Sequence, residues 1–219
     1  MATIADNLQA VRARLGRAHG VTLLAVSKGH GVDRIRQAVA AGQKAFGENY
    51  VQEAVQKMDA LPGLEWHLIG PLQSNKTRLA AQRFAWIHTL DREKIAKRLS
   101  EQRPAAAAPL NVLIQVNVSR EASKSGVSFD EIPPLAGIIA ALPRLRLRGL
   151  MAIPEPGAGV ALQFRAVHEC YENLKSKFGF DTLSMGMSDD MEAAIAEGAT
   201  LVRIGSAIFG QRPEVRDAA

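Results

Sequence analysis

The sequence predicts a single closed (β/α)8 barrel, a TIM barrel, with one extra helix ahead of its first strand. Two observations carry this reading. Eight short runs rich in aliphatic and β-branched residues recur along the 219 residues, nearly all separated by stretches with apolar residues at helical spacing. Strand–helix alternation implies parallel strands, and eight such units suit a closed barrel. The most linker-like stretch, Arg103-Pro104-Ala105-Ala106-Ala107-Ala108-Pro109, is short and leads straight into a strand, so it reads as a surface loop within one domain spanning 1–219. An open doubly wound sheet is the alternative.

The elements follow in order. A helix over about 4–18 puts Leu8, Val11 and Leu15 on one face. Strand 1 covers 21–26, and a helix follows over 32–41. Ala45-Phe46-Gly47 is a short second strand, with a helix through Val51, Ala54, Val55 and Met58. Strand 3 is Trp66-His67-Leu68-Ile69, stopped by Gly70-Pro71. A helix near 76–81 leads to strand 4, Trp86-Ile87-His88-Thr89, after which Asp91 is expected to cap a helix through Ile95 and Leu99. Strand 5 covers 112–116, a helix over 132–141 stops at Pro143, and strand 6 covers 145–150. A long helix over 160–178 precedes strand 7, Thr182-Leu183-Ser184. A helix over 190–196 ends at Gly198, and strand 8 is Leu201-Val202-Arg203-Ile204.

Composition narrows the function. Hydrophobic residues make up 47% of the chain, enough for a sizeable core, and the apolar runs fall well short of the ~18 residues a membrane helix needs. The N-terminus lacks a basic region followed by an apolar one, so no signal peptide is expected. A single cysteine, Cys170, excludes an intramolecular disulfide and a multi-cysteine metal site, and its helical spacing with Val167 and Leu174 places it in the core. A cytoplasmic protein is expected. The net charge of +5 raises nucleic acid as a partner, but the basic residues are scattered, and Arg144-Leu145-Arg146-Leu147-Arg148 alternates like a half-exposed strand. With only two Trp and two Tyr for base stacking, a mild positive field better serves a small anionic ligand.

In a barrel, the C-terminal ends of all strands face one mouth. Lys28 closes the apolar run of strand 1, where a lysine costs too much to bury unless its charge or amine is used. It either leaves the strand for water or, desolvated, attacks an aldehyde or ketone to form a Schiff base. Ser188 stands after strand 7 near a helix start, either as an anion-binding hydroxyl or as part of an N-cap reinforced by a box of Asp189 and Glu192. Gly205 and Ser206 follow strand 8, and barrels often bind phosphate in the loops after strands 7 and 8. Arg203 lies in an apolar run and needs a partner, a carboxylate or a ligand nitrogen. His67 and His88 lack the clustered carboxylates or cysteines of a metal site and read as ordinary barrel or loop residues. An amine, a phosphate cup and an arginine at one mouth suit pyridoxal 5′-phosphate (PLP), which has an aldehyde, a phosphate and a ring nitrogen.

The segments Leu24-Ala25-Val26-Ser27-Lys28 and Phe46-Gly47-Glu48-Asn49-Tyr50-Val51-Gln52-Glu53, with residues 66–76, 123–126, 148–154, 183–191 and 202–210, resemble the pyridoxal phosphate homeostasis protein family, itself similar to the barrel domain of alanine racemases. The resemblance runs from about residue 5 to 211. It implies that Lys28 holds PLP as an internal aldimine, that Ser188, Gly205 and Ser206 bind the phosphate, that Arg203 faces the ring nitrogen, and that Asn49 lies near the ring. The family often has another lysine or a proline just after its lysine, whereas Gly29-His30-Gly31 stands here; Lys124 matches a family lysine outside that site. The function implied is a non-catalytic PLP-binding protein of vitamin B6 homeostasis that buffers the cofactor or delivers it to PLP-requiring apo-enzymes, without nucleic acid, membrane or metal. The rival is a PLP-dependent racemase-type enzyme. Racemases of this type take a second acid/base group from an additional β domain, and no sequence for one is expected after Gln211.

Overall fold

The computed structural model describes residues 2–16, 20–119, 125–157 and 159–211. Eight parallel strands close into a barrel in the order β1-β2-β3-β4-β5-β6-β7-β8. They are β1 (Thr22–Val26), β2 (Ala45–Glu48), β3 (Glu65–Leu68), β4 (Trp86–Leu90), β5 (Leu110–Val116), β6 (Leu145–Ala152), β7 (Thr182–Ser184) and β8 (Leu201–Ile204). Closure comes from β8 pairing with β1, Leu24 opposite Arg203 and Ala25 opposite Ile204. The open-sheet alternative is thereby excluded. The helices are α1 (Ile4–Leu15), α2 (Val32–Ala40), α3 (Val51–Ala60), α4 (Thr77–Arg83), α5 (Glu93–Gln102), α6 (Ile132–Ala140), α7 (Val160–Phe178), α8 (Met191–Ala196) and α9 (Ser206–Phe209).

The extra helix α1 starts at a capping box that sequence reading did not single out: Thr3 and Asp6 exchange backbone–side-chain hydrogen bonds of 2.9 and 3.1 Å. Its buried residues Ile4, Leu8, Val11 and Leu15 recur at helical spacing and join the main core between barrel and helices. Two expected caps do not form. Asp91 instead pairs with Arg92, which itself holds the N-cap position of α5. Glu192 does not box with Asp189; it reaches across to Arg14 at 2.7 Å, and Asp190 holds the N-cap position of α8. In both cases a nearby arginine outcompetes the local backbone for the carboxylate.

Strand β6 carries a register shift against β5, between the pairs Val112–Leu147 and Leu113–Gly149. Gly149 has φ +147°, and a Cβ there would fall 2.0 Å from the Thr182 carbonyl oxygen, so only glycine lets β6 and β7 approach this closely. The arginines of 144–148 serve the fold. Arg144 donates to the carbonyls of Glu101 and Arg103, and Arg148 holds Asp181 while lying over the Trp86 ring.

Strand alternation divides the buried residues into two sets. Phe46, Leu68, Ile87, Val112, Ile114, Leu150, Leu183 and Val202 join the helices in the main core. Trp86, Leu113 and Met151 form a separate small cluster, and the ring of His67 stacks on Trp86. These mark the barrel interior, together with His88, Ser184 and Arg203. Cys170 is half-buried on α7, packed against the main core, and burial pushes its thiol pKa up.

Candidate functional site

Four consecutive strands around the closure, β7-β8-β1-β2, deliver the residues of one mouth. Their C-terminal ends, joined by Ile153 after β6 and Ile69 after β3, surround a cavity of about 510 Å³, a volume suited to a small ligand. Its lining includes Lys28 from the end of β1, Asn49 after β2, Ser188 after β7, and Arg203, Gly205 and Ser206 from β8 and the turn into α9. The structure thus brings all six residues together. Met187 and Asp189, on either side of Ser188, also line the cavity. Lys124 lies outside the described residues.

Lys28 is half-buried, and the backbone on both sides of it is clamped. The ammonium of Lys57, reaching in from α3, donates to the Ser27 carbonyl at 2.8 Å and to the carboxylates of Glu48 and Glu53 at 2.7 Å each. Glu53 also accepts the Gly29 N–H at 2.6 Å, and the Ser27 hydroxyl donates to Glu48 at 2.5 Å. Glu48 is 0% exposed, and its second carboxylate oxygen has no hydrogen bond among the described residues. Burial pushes the Glu48 carboxyl pKa up, against the pull of Lys57 and Ser27. Sequence reading missed this clamp. Glu53 and Lys57 sit four apart on α3 and look like an ordinary surface pair.

Asn49 is set by a close approach. A Cβ at Gly70 would lie 2.2 Å from the Asn49 carbonyl oxygen, so glycine after β3 lets the two loops cross at the cavity edge. Opposite, the hydroxyls of Ser206 and Ser188 are joined at 3.0 Å, and the Ala207 N–H points at Ser188 Oγ at 3.4 Å. Two loops therefore present hydroxyls and the first amides of α9 to one point, a donor set that suits an anion. His30, which sequence reading gave no role, is 4% exposed, lines the cavity and stacks on Phe209.

Arg203 is 4% exposed at the cavity floor. Its guanidinium donates to the Ser184 carbonyl and hydroxyl at 2.8 Å each and to the Ala152 carbonyl at 2.9 Å. These partners are neutral, so the carboxylate pairing considered from sequence does not occur among the described residues. Burial lowers its pKa to about 10, partly offset by Asp190, which keeps it cationic at neutral pH. A buried cation without an anion favours an acceptor in the cavity.

Behind Arg203, His88 meets the Ser184 hydroxyl at 3.1 Å and His67 at 2.9 Å, and His67 meets Glu65 at 2.8 Å. Burial pushes the pKa of His67 down and that of His88 well down, the latter aided by His67 and Arg203. The unfolded chain protonates these rings near pH 6.5, while the folded barrel resists. The stability they leave intact above that pH is lost as pH falls below it, at a limiting slope of about 1.4 kcal/mol per pH unit for a ring that stays neutral in the folded state. Glu48 acts in the opposite sense, because its raised pKa favours the folded state at low pH. The effect is therefore read as a difference: between about pH 7 and pH 5.5, His88→Gln should lose about 1 kcal/mol less than the unsubstituted chain in urea titrations. Equal losses would show that His88 is not held neutral.

Among the described residues no group of three or more His, Cys, Asp or Glu side chains suits a metal ion, and no helix is long and apolar enough to cross a membrane. Residues 1–213 match the family model described as alanine racemase, N-terminal domain. The chain is 54% identical to the pyridoxal phosphate homeostasis protein of Escherichia coli strain K12, covering 97% of this chain and 95% of that protein. The fold matches PipY of Synechococcus elongatus PCC7942 solved without PLP, with a TM-score of 0.88 and 37% identity over 95% of this chain and 100% of that one. The match to PipY with PLP bound has a TM-score of 0.86 and 36% identity over the same shares. Alanine racemase from Corynebacterium glutamicum matches at a TM-score of 0.77 and 22% identity, over 97% of this chain and 62% of that one, a likeness of fold alone.

Proposed function

We propose, from the premise that this chain belongs to the alanine racemase N-terminal domain family and within it to the pyridoxal phosphate homeostasis proteins, that it is a PLP-binding protein of vitamin B6 homeostasis that holds the cofactor without turning it over. The observation that carries the reading is the arrangement of the cavity: an amine at Lys28, a buried cation at Arg203 with only neutral partners, and paired hydroxyls at Ser188 and Ser206. PLP, when bound, supplies an aldehyde for an amine, a phosphate and an electron-accepting ring. PipY, more than a third identical, has been solved with it.

Lys28 is the residue that would hold the aldehyde as a Schiff base, with its flanking peptides fixed by Lys57 and Glu53. Ser188, Gly205, Ser206 and the first amides of α9 would hold the phosphate. A Cβ at Gly205 would press on the Val26 carbonyl oxygen at 3.3 Å, so glycine keeps this turn close against β1. Asn49 would border the ring. Arg203 would face the ring nitrogen and, as a fixed cation, would keep a proton off it, which weakens the ring as an electron sink. That bias favours storage over carbanion chemistry. The cytoplasm is the compartment we assign, with PLP-requiring apo-enzymes as recipients.

The test is a PLP titration of the pure protein, read by visible absorbance with and without borohydride, then a panel of amino acids. We expect stoichiometric, borohydride-trappable PLP and no conversion above that of free PLP. Racemisation or transamination above that background would establish the racemase-type alternative, which the shared barrel fold keeps in view.

A further inference from the structure

We propose that Ser184, His88, His67 and Glu65 form a one-way hydrogen-bond relay through the barrel interior that positions the Arg203 guanidinium for the ligand. It rests on reading the cavity as a PLP site. Glu65, at the N-terminal end of β3, is 51% exposed and lies outside the cavity lining. Four contacts of 2.8, 2.9, 3.1 and 2.8 Å join it to Arg203 through two fully enclosed rings and a buried hydroxyl.

The chemistry of the two ends fixes the direction of every proton between them. Arginine only donates, and an ionised carboxylate only accepts. Ser184 Oγ accepts from Arg203 Nη1, so its own proton is available for His88 Nδ1. His88 then carries its proton on Nε2 and donates to His67 Nδ1. His67 likewise carries its proton on Nε2 and donates to Glu65 Oε1. Every contact is satisfied with both rings neutral and both in the Nε2–H form. The competing arrangement, a charged His67 donating both ways, places an imidazolium in the barrel interior one ring away from Arg203, and burial opposes it. Chains polarised in one sense strengthen each link. Glu65 therefore acts as the anchor that keeps a Ser184 lone pair aimed at Arg203, and Glu65, His67, His88 and Ser184 are positioning residues.

Glu65→Lys tests this, because it replaces an acceptor with a donor at a half-exposed position. A donor facing His67 Nε2 reverses the chain: both rings move to the Nδ1–H form, and His88 then donates to Ser184 Oγ. That oxygen must serve two donors, and its hold on Arg203 weakens. Nitrogen-15 NMR of the PLP-free protein reads the ring forms, and PLP titration reads the consequence. We expect Nε2–H on His67 and His88 in the unsubstituted chain, Nδ1–H on both in Glu65→Lys, and PLP binding weaker on the order of tenfold, the size of one hydrogen bond to a charged group. A purely long-range charge effect would move affinity the other way, because the substitution makes the protein more positive toward an anionic ligand. Other ring forms in the unsubstituted chain, unchanged forms in Glu65→Lys, or reversed forms with unchanged affinity each overturn the relay. The ring forms are read without ligand, so a chain that failed to bind PLP would remove the proposed function and leave that part of the test standing.

Discussion

Lys28→Ala is expected to lose the visible Schiff-base band completely and to yield no borohydride-trapped PLP. Covalent capture needs a primary amine at the cavity wall, and among the described residues Lys28 is the lysine in the lining. Lys57 cannot substitute, because its ammonium is buried among Ser27, Glu48 and Glu53. The barrel should remain folded. Lys28 is half-buried, and the clamp around it grips the Ser27 carbonyl and Gly29 N–H, groups an alanine at 28 keeps. Truncation outside a packed core changes stability by only about 0.5 kcal/mol. Residual, rapidly reversible binding is expected through Arg203 and the serine pair, with unaltered circular dichroism. An adduct of the same yield in the variant, mapped to another lysine, would remove Lys28 from its assigned role.

The fold was legible because its signals are local and repeated. Eight strand-like runs lay in the right order, and their bounds differ from the structure by a few residues, as at β6, which runs on to Ala152. What failed was capping. Asp91 and Glu192 carry the right side chains at the right spacing, yet arginines distant or adjacent in sequence claim them. The cavity was legible for a related reason: strand order alone places Lys28, Asn49, Ser188 and Arg203 on neighbouring strands once β8 closes on β1.

The groups behind the cavity were not legible. His67 and His88 read as ordinary barrel residues because nothing in their neighbourhoods marks a partner. Glu65 lies two residues from His67 and reads as a surface carboxylate, while the link onward runs from His67 to His88 and then to Ser184 on β7, 96 residues from His88, and exists only after closure. Glu48 was seen as part of a motif but not as a buried charge. A carboxylate on a four-residue strand gives no hint of its depth until the lysine that neutralises it is placed.

That lysine gives the second large effect. Lys57→Met should cost about 3–5 kcal/mol, the range for removing one partner of a buried ion pair. The pair is almost fully enclosed, with side-chain exposures of 6% for Lys57 and 0% for Glu48. Without the ammonium, Glu48 keeps only the Ser27 hydroxyl against its burial, so it must hold its proton to remain inside. Its folded pKa, already raised, rises further above the unfolded value. Stability linked to such a group is fully present below the unfolded pKa and is lost as pH rises through the folded one, so the cost of Lys57→Met should grow from acid toward neutral pH. Urea titrations across that range check both size and slope. A cost below about 1 kcal/mol, typical of an exposed pair, would show the cluster to be solvated. The double variant Lys57→Met/Glu48→Met separates folding from positioning. Replacing both charges with apolar groups of similar volume should recover most of the lost stability. It should not fully restore PLP capture, because the Ser27 carbonyl then keeps only the His30 N–H at 3.1 Å and the peptide leading into Lys28 is held less firmly. Recovery of stability with slow, incomplete Schiff-base formation would locate the value of this buried pair in the aim of Lys28; recovery of both would make it a matter of packing alone.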